Sequence, residues 1–421
     1  MEHVEKFQSS HKDHKSAKKA EQKGQHKRWA IVSLSSIPLV MTLGNSMLIP
    51  VLPVMEKKIG ISSFQSSMII TVYSIVAILL IPIAGYLSDH IGRKKVIVPS
   101  LIIAGIGGLI SGWAAWKMTD PYWLILIGRS LQGVGAAGAA PIVMPLVGDM
   151  FKNDEEVSST LGLIETSNTF GKVLSPILGA FLAGFLWYLP FLAFPVFCAI
   201  STLMMLFLVR SPKKQEVIPF KQFLHKIKDI FKNNGKWLYS IFITGVILML
   251  VLFGVLFYLS DVLEKTYEIK DVKKGLLLAL PLGALCLSSF ITGKMIKENK
   301  VLMKWITFVG IVLLAASIAA LSFSKELWFM ISMFFISGVG IGVGLPCLDA
   351  LITEGIEKEE RGTITSIYSS MRFIGVAAGP PIVAVLMKNT DKMLFYILCG
   401  LSVVALIVTL VGIRPKNGDT K

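Results

Sequence analysis

Charge is in short supply along this chain. Only 16% of its 421 residues are Asp, Glu, Lys or Arg, against about a quarter in an ordinary soluble domain. With 53% of the residues hydrophobic, that shortage excludes a water-solvated globule. Cysteine is scarce too. Cys198, Cys286, Cys347 and Cys399 each stand alone in an apolar stretch, without the spacing of a metal or redox pair, and read as packing residues. No long hydrophilic segment exists: residues 1–28 and 210–236 are the longest, too short for a folded soluble domain. There is no P-loop, no zincin motif and no Ser/His/Asp arrangement. ATP hydrolysis is excluded as an energy source, and neither an enzyme nor a resident cofactor or metal is expected.

What is present is a succession of apolar runs of about 20 residues, the length at which a helix crosses a bilayer core. They predict spans at 29–54, 64–87, 96–116, 122–149, 158–186 and 188–209, then 237–260, 275–296, 301–323, 326–354, 362–387 and 391–413. The expected fold is an all-α integral membrane protein of twelve transmembrane helices in two six-helix halves. The expected organisation is a disordered basic tail at 1–28, a first bundle at 29–209, a linker at 210–236, a second bundle at 237–413 and a tail at 414–421. No small-residue cleavage site follows the first run, which therefore reads as a retained span.

The formal charge of +15 would point a soluble protein toward nucleic acid. Here Lys and Arg concentrate in the N-terminal tail, at 93–95, 210–236 and 294–304, and after 414, all on one side of an alternating topology. That side is the expected cytoplasm, with both termini in it. The basic loops orient a multi-pass protein of the plasma membrane and touch anionic lipid; nucleic acid is not an expected partner. His3, His11, His14 and His26 sit among lysines in the tail and fit a solvated arm better than a metal site. In the linker, Ile218, Phe220, Phe223, Leu224 and Ile227 fit a surface helix facing lipid.

An internal repeat divides the chain. Gly133–Pro176 aligns with Gly338–Pro380 through one single-residue gap, setting Pro141 on Pro346, Asp149 on Glu354, Gly171 on Gly375 and Pro176 on Pro380. Such repeats place a binding site near the midplane where the halves meet. The small-residue runs 133–140 and 338–344 suit close helix approach and rocking. A Rossmann loop is excluded there, because no strand precedes these glycines.

Four segments carry mechanism. GYLSDHIGRKKV, Gly85–Val96, sets Asp89 and Arg93 four residues apart at a helix end, with Gly85 and Gly92 for close contact and a tight turn. A conformational latch has this form. LGNSMLIPVLP, Leu43–Pro53, contains Asn45; GRSLQGVGAA, Gly128–Ala137, contains Arg129 and Gln132; GKVLSPILGA, Gly171–Ala180, contains Lys172. Together they resemble the major facilitator superfamily, in its branch of twelve-span drug:proton antiporters. The resemblance implies that Gly85–Val96 stabilises one access state and that Arg129 is associated with proton transfer. The last segment departs from the family pattern, with Ser175 and Ala180 where glycines are usual.

The residues themselves describe a polar path. Glu165, Asn168 and Lys172 are spaced by three and four, which places them on one helix face. Glu165 and Lys172 lie roughly 10 and 20 Å deep and about 10 Å apart along the axis, so Asn168 or water must stand between them. Ionisable groups at such depth cost at least ~2.5–3.5 kcal/mol each on insertion scales, so a wet cavity or partners are required. In one reading Glu165 couples protons to cargo and Lys172 binds an anionic group; in the other both are tied to neighbouring helices. Arg129 is permanently charged, and Glu165 is its expected partner. Arg372 and Asp349 are further mid-span candidates. The expected function is proton-driven export of a small molecule, a drug or a metabolite such as a siderophore, by a monomer. A proton-coupled importer and a non-transporting membrane sensor are the alternatives.

Overall fold

The computed structural model describes residues 25, 27–151, 154–209, 220–296, 299–356, 358–388 and 391–413. Among these residues there are helices and no strands. Helix α1 (27–46) passes through a 3-10 turn at Ile49–Val51 into α2 (Leu52–Ile59), forming one span. There follow α3 (Ser63–Ile91), α4 (Arg93–Lys117), α5 (Tyr122–Met150), α6 (Asp154–Phe185) and α7 (Leu189–Leu208). The second half holds α8 (Phe220–Lys265), α9 (Asp271–Met295), α10 (Lys300–Ala320), α11 (Leu327–Gly355), α12 (Lys358–Leu386) and α13 (Asp391–Gly412). Eleven of these segments are long and apolar enough to cross a membrane. The remaining long helix, α6, is diluted by Glu165, Asn168 and Lys172 and completes the expected twelve.

Local chemistry sets the ends. Ser62 and Gln65 form a reciprocal capping box that starts α3. Gly92, with φ of +104°, makes the turn into α4 that a side chain would resist. Helix α8 begins at Phe220, so the second part of the expected linker continues directly into the seventh span. The tail at 1–24, residue 26, the stretch 210–219 and the tail at 414–421 lie outside the described residues, as do the side chains of Phe220, Phe223, Leu224 and Ile227. The histidines His3, His11, His14 and His26 and the residue Ile218 fall in those segments.

Within the first half α5 packs on α3 and α4, and α4 on α7; within the second, α11 packs on α9 and α10, and α10 on α13. The first span and the span in α8 are the most enclosed, with 83% and 89% of their central windows buried against 33% for α13. Large apolar side chains such as Phe207, Trp123 and Leu79 point outward, as lipid-facing residues do. The small-residue runs lie in these intra-half contacts rather than in the seam. A Cβ on Gly135 would stand 2.4 Å from Ser100 O, and one on Gly340 2.4 Å from Gly310 O. These glycines therefore serve close approach within each half, and the expectation of rocking across them is corrected, because the halves meet on other helices.

The halves meet through α3 against α12 and α6 against α9. Proline shapes this seam. A proline at position i has no N–H for the carbonyl at i−4. Pro82, Pro381 and Pro53 thus leave Ile78, Ala377 and Ile49 without their helical donors. Each is supplied from the opposite half: Ser370 Oγ donates to Ile78 O, Thr71 Oγ1 to Ala377 O and Ser260 Oγ to Ile49 O, all at 2.8 Å.

The crossing of α6 and α9 explains the imperfect motif. Ala180 packs on Gly275, where an added Cβ would stand 2.9 Å from Ala180 Cβ and 2.6 Å from Pro176 O. The missing glycine of α6 is thus matched by one on α9. Ser175 is fully buried and turns its hydroxyl back onto Gly171 O at 2.6 Å, spending its polarity inside its own helix.

Candidate functional site

The polar face of α6 looks across the seam. Asn168 Nδ2 donates to Glu165 Oε1 at 3.3 Å, while Thr42 Oγ1 of α1 donates to Asn168 Oδ1 at 2.5 Å, which orients the amide. Opposite stand Asp349 of α11 and Arg372 of α12, paired at 3.2 Å from Nη1 to Oδ1. The guanidinium also lies 5.6 Å from the Tyr368 ring centre. Glu165, Lys172, Asp349 and Arg372 all lie within electrostatic reach of one another. Two carboxylates from different halves thus face two cations from different halves.

This cluster is interior but not dry. Asp349 keeps 37% of its side chain accessible although it lies deep in the bundle, and Glu165, Lys172 and Arg372 are all half-buried. A charged pair that stays accessible is what a cargo site needs, since a ligand has to reach it. Chemically, the carboxylates accept protons or hydroxyl donors, and Lys172 and Arg372 donate to oxygen. Arg372 and Asp349 appeared in the sequence only as isolated mid-span charges. The fold makes them partners of Glu165 and Lys172.

Arg129 belongs to a different assembly. Its side chain is wholly buried. Nε donates to Ile69 O at 2.8 Å, Nη1 to Gly44 O at 3.0 Å and to Gln132 Oε1 at 2.5 Å, and Nη2 to Asn45 Oδ1 at 2.6 Å. The Tyr73 ring covers the guanidinium at 4.5 Å. The expected pairing with Glu165 does not form: carbonyls at the end of α1 and on α3 meet the guanidinium first. The result joins α1, α3 and α5 through one rigid fork.

At the predicted cytoplasmic end, Arg93 Nη1 meets Asp89 Oδ1 at 2.9 Å, and Arg93 Nε also binds the Asp149 carboxylate of α5. Asp149 was visible in the sequence only as the counterpart of Glu354, whose side chain lies outside the described residues. Nothing approaches a Cβ built on Gly85 within 4 Å, so of the two glycines only Gly92 is required by this conformation.

The opposite end holds charges that the sequence reading passed over. Glu56 of α2 accepts from Ser66 Oγ at 2.6 Å, Ser63 Oγ at 3.0 Å and Lys265 Nζ at 2.7 Å. Lys265 also meets Asp261 at 2.5 Å. Lys274, only 2% exposed, donates to Glu264 Oε2 at 2.8 Å and Pro50 O at 2.7 Å. These bonds tie the first span to α8 and α9 and seal this end. Charges near span ends are ordinary in membrane proteins, so nothing in the sequence distinguished these. Among the described residues, no group of His, Cys, Asp and Glu fit to hold a metal occurs.

A bundle of this topology with a charged midplane and sealed end defines a carrier class, and comparison with known proteins gives the family. The Major Facilitator Superfamily profile matches residues 34–380 and 303–421, and the chain belongs to that superfamily as a multi-pass membrane transporter. It is 56% identical over 391 residues to the bacillibactin exporter of Bacillus subtilis (strain 168), covering 92% of this chain and 97% of that protein. It is 23% identical over 377 residues to quinolone resistance protein NorA of Staphylococcus aureus (strain COL), covering 88% of this chain and 92% of that protein. The fold matches the crystal structure of a D-xylose-proton symporter with a TM-score of 0.76 at 13% identity, over 94% of this chain and 100% of that one.

Proposed function

We propose that this protein exports a siderophore, a small oxygen-rich iron chelator, in exchange for inward protons. The observation that carries the cargo class is the 56% identity to the bacillibactin exporter over nearly that protein's whole length. The midplane cluster supports it chemically. Phenolic hydroxyls of a catechol donate to ionised Glu165 and Asp349, while acidic or carbonyl oxygens accept from Lys172 and Arg372. A hydrogen bond to a charged group contributes about 1.5–3 kcal/mol, so protonating one carboxylate and losing that acceptor weakens cargo binding roughly ten- to a hundredfold. Proton and hydroxyl donor therefore compete, which is the sign antiport requires.

The opposite sign defines the importer reading. A cargo that presents only ionised oxygens is repelled by ionised Glu165 and favoured by protonated Glu165, so proton and cargo bind together. The exporter reading rests on the hydroxyl-bearing cargo. In this reading the halves at 29–209 and 237–413 rock about the cluster as a monomer in the plasma membrane, with both termini cytoplasmic and lipid around the bundle.

The deciding experiment is a deletion strain grown under iron limitation. Catechol in the medium should fall and cellular catechol should rise, and everted vesicles carrying the protein should lose an imposed proton gradient when purified siderophore is added. Unchanged secretion would remove the siderophore. Proton-driven accumulation of cargo from the medium would establish import, and ligand binding without flux in liposomes would establish a sensor.

A further inference from the structure

At the sealed end, a pocket of about 240 Å³ opens in the seam, walled by Pro50, Lys57 and Lys58 of the first span and by Glu264, Lys270 and Lys274 of the second half. In the proposed orientation this end is extracellular, where lysine is normally depleted. Asp271 adds a second acid to the wall, yet the lysines still outnumber the acids. Lys58 and Lys270 are exposed and form no ion pair with any described residue. The turn that carries Lys270 is also unusual. Glu268 and Asp271 have φ of +54° and +53°, a conformation side chains seldom hold without other constraint.

Glu264 shows what the pocket accepts. Its carboxylate lies between Lys274 Nζ at 2.8 Å and Lys57 Nζ at 3.8 Å, bridging a buried lysine of its own half and a lysine of the other. Lys274 has three N–H bonds, and its other acceptor in this conformation is Pro50 O, again across the seam. When the halves part, Lys57 leaves Glu264 and Lys274 loses Pro50 O. Lys274 keeps Glu264 but is left with an N–H free where Pro50 O stood, and Lys57 is left without its acid, so the parted wall offers two donors to an entering anion.

We propose that this lysine-walled pocket is a second substrate site, on the release route, for an acidic oxygen group of the cargo. The departing acid replaces Pro50 O at Lys274 and Glu264 at Lys57 as the seam parts, and while bound it covers the pocket wall at Val54. The inference rests on the export reading for its place in the cycle, but the anion site can be measured without transport.

In a background with the native cysteines changed to serine, Val54→Cys places a thiol in the pocket wall. Protein in nanodiscs is labelled with a hydrophilic maleimide, with 2,3-dihydroxybenzoate as probe and 2,3-dihydroxybenzyl alcohol as its neutral counterpart. The carboxylate is expected to slow labelling by about fivefold or more at saturation, and the alcohol to leave it unchanged. Combined Lys57→Gln, Lys58→Gln and Lys270→Gln, all at exposed positions, should abolish that protection, and arginine at the same positions should keep it. Equal protection by the alcohol, or protection that survives the glutamines, overturns the site. If secretion by the deletion strain is normal while the carboxylate still protects, the export reading fails and the anion site stands. If secretion falls while no protection is seen, the site alone fails.

Discussion

A carboxylate kept halfway along a membrane helix has to repay its insertion cost through what it does there. Glu165 has one amide neighbour and faces the charged pair of the other half. Glu165→Gln keeps size and the contact with Asn168 and removes titration. Export against a gradient is expected to fall by at least about tenfold, the value of one charge-assisted bond, while cargo exchange without a gradient persists and responds less to pH, with Asp349 left as the second carboxylate. Labelled-cargo flux at imposed pH differences measures this. Arg129 makes the contrasting case. Lys in its place keeps the charge but cannot reach acceptors on α1, α3 and α5 at once. At roughly 1–3 kcal/mol for each buried acceptor left unpaired, Arg129→Lys should lower the thermal unfolding midpoint in detergent as well as transport. The spacing of Glu165, Asn168 and Lys172 on one face was legible in the sequence because a helix turns predictably. The partner of Arg129 was not, because backbone carbonyls carry no mark in a sequence.

The helices themselves were legible because length and hydropathy dictate them, down to the dilution of α6 by its own polar face. Hydropathy does not say where interior prolines direct their freed carbonyls. Pro82, Pro381 and Pro53 each release an acceptor that a hydroxyl of the opposite half satisfies. Neutral bonds of this kind suit a surface that must separate, because water can replace the hydroxyl when the seam opens. Thr71→Val or Ser370→Ala leaves a buried carbonyl unpaired only in the sealed form, at about 1–3 kcal/mol. Each should therefore raise the population open at the sealed end by roughly five- to a hundredfold. Pro82→Ala restores the helical donor to Ile78 O. In that background Ser370→Ala should have little further effect, and thiol labelling at position 54 across the four proteins gives the coupling between the two sites.

For the whole molecule, alternating access requires that neither end be held too firmly, and the two ends are held differently. At the predicted cytoplasmic end Arg93 joins Asp89 and Asp149, all within the first half. At the other end Lys265 of α8 reaches Glu56 of α2, so this ion pair spans both halves and must break whenever that end opens. Glu56 is 8% exposed and Lys265 36% exposed at the side chain, a pair between a surface bridge and a buried one. Its contribution is therefore on the order of 1–2 kcal/mol, enough to move a two-state population by about tenfold without locking it. Glu56→Lys places two cations in contact and removes the acceptor of Ser63 and Ser66; Lys265→Glu crowds Glu56 and Asp261 with a third carboxylate. Both single variants are expected to favour the form open at this end, to raise labelling at position 54 and to lose most export. Combining them restores an opposite-charge pair across the seam. Partial recovery of both the labelling rate and export in the double variant would identify the pair as an electrostatic latch. Recovery of neither would mean that Glu56 acts through its serine partners on α3, holding α2 in place rather than closing the molecule.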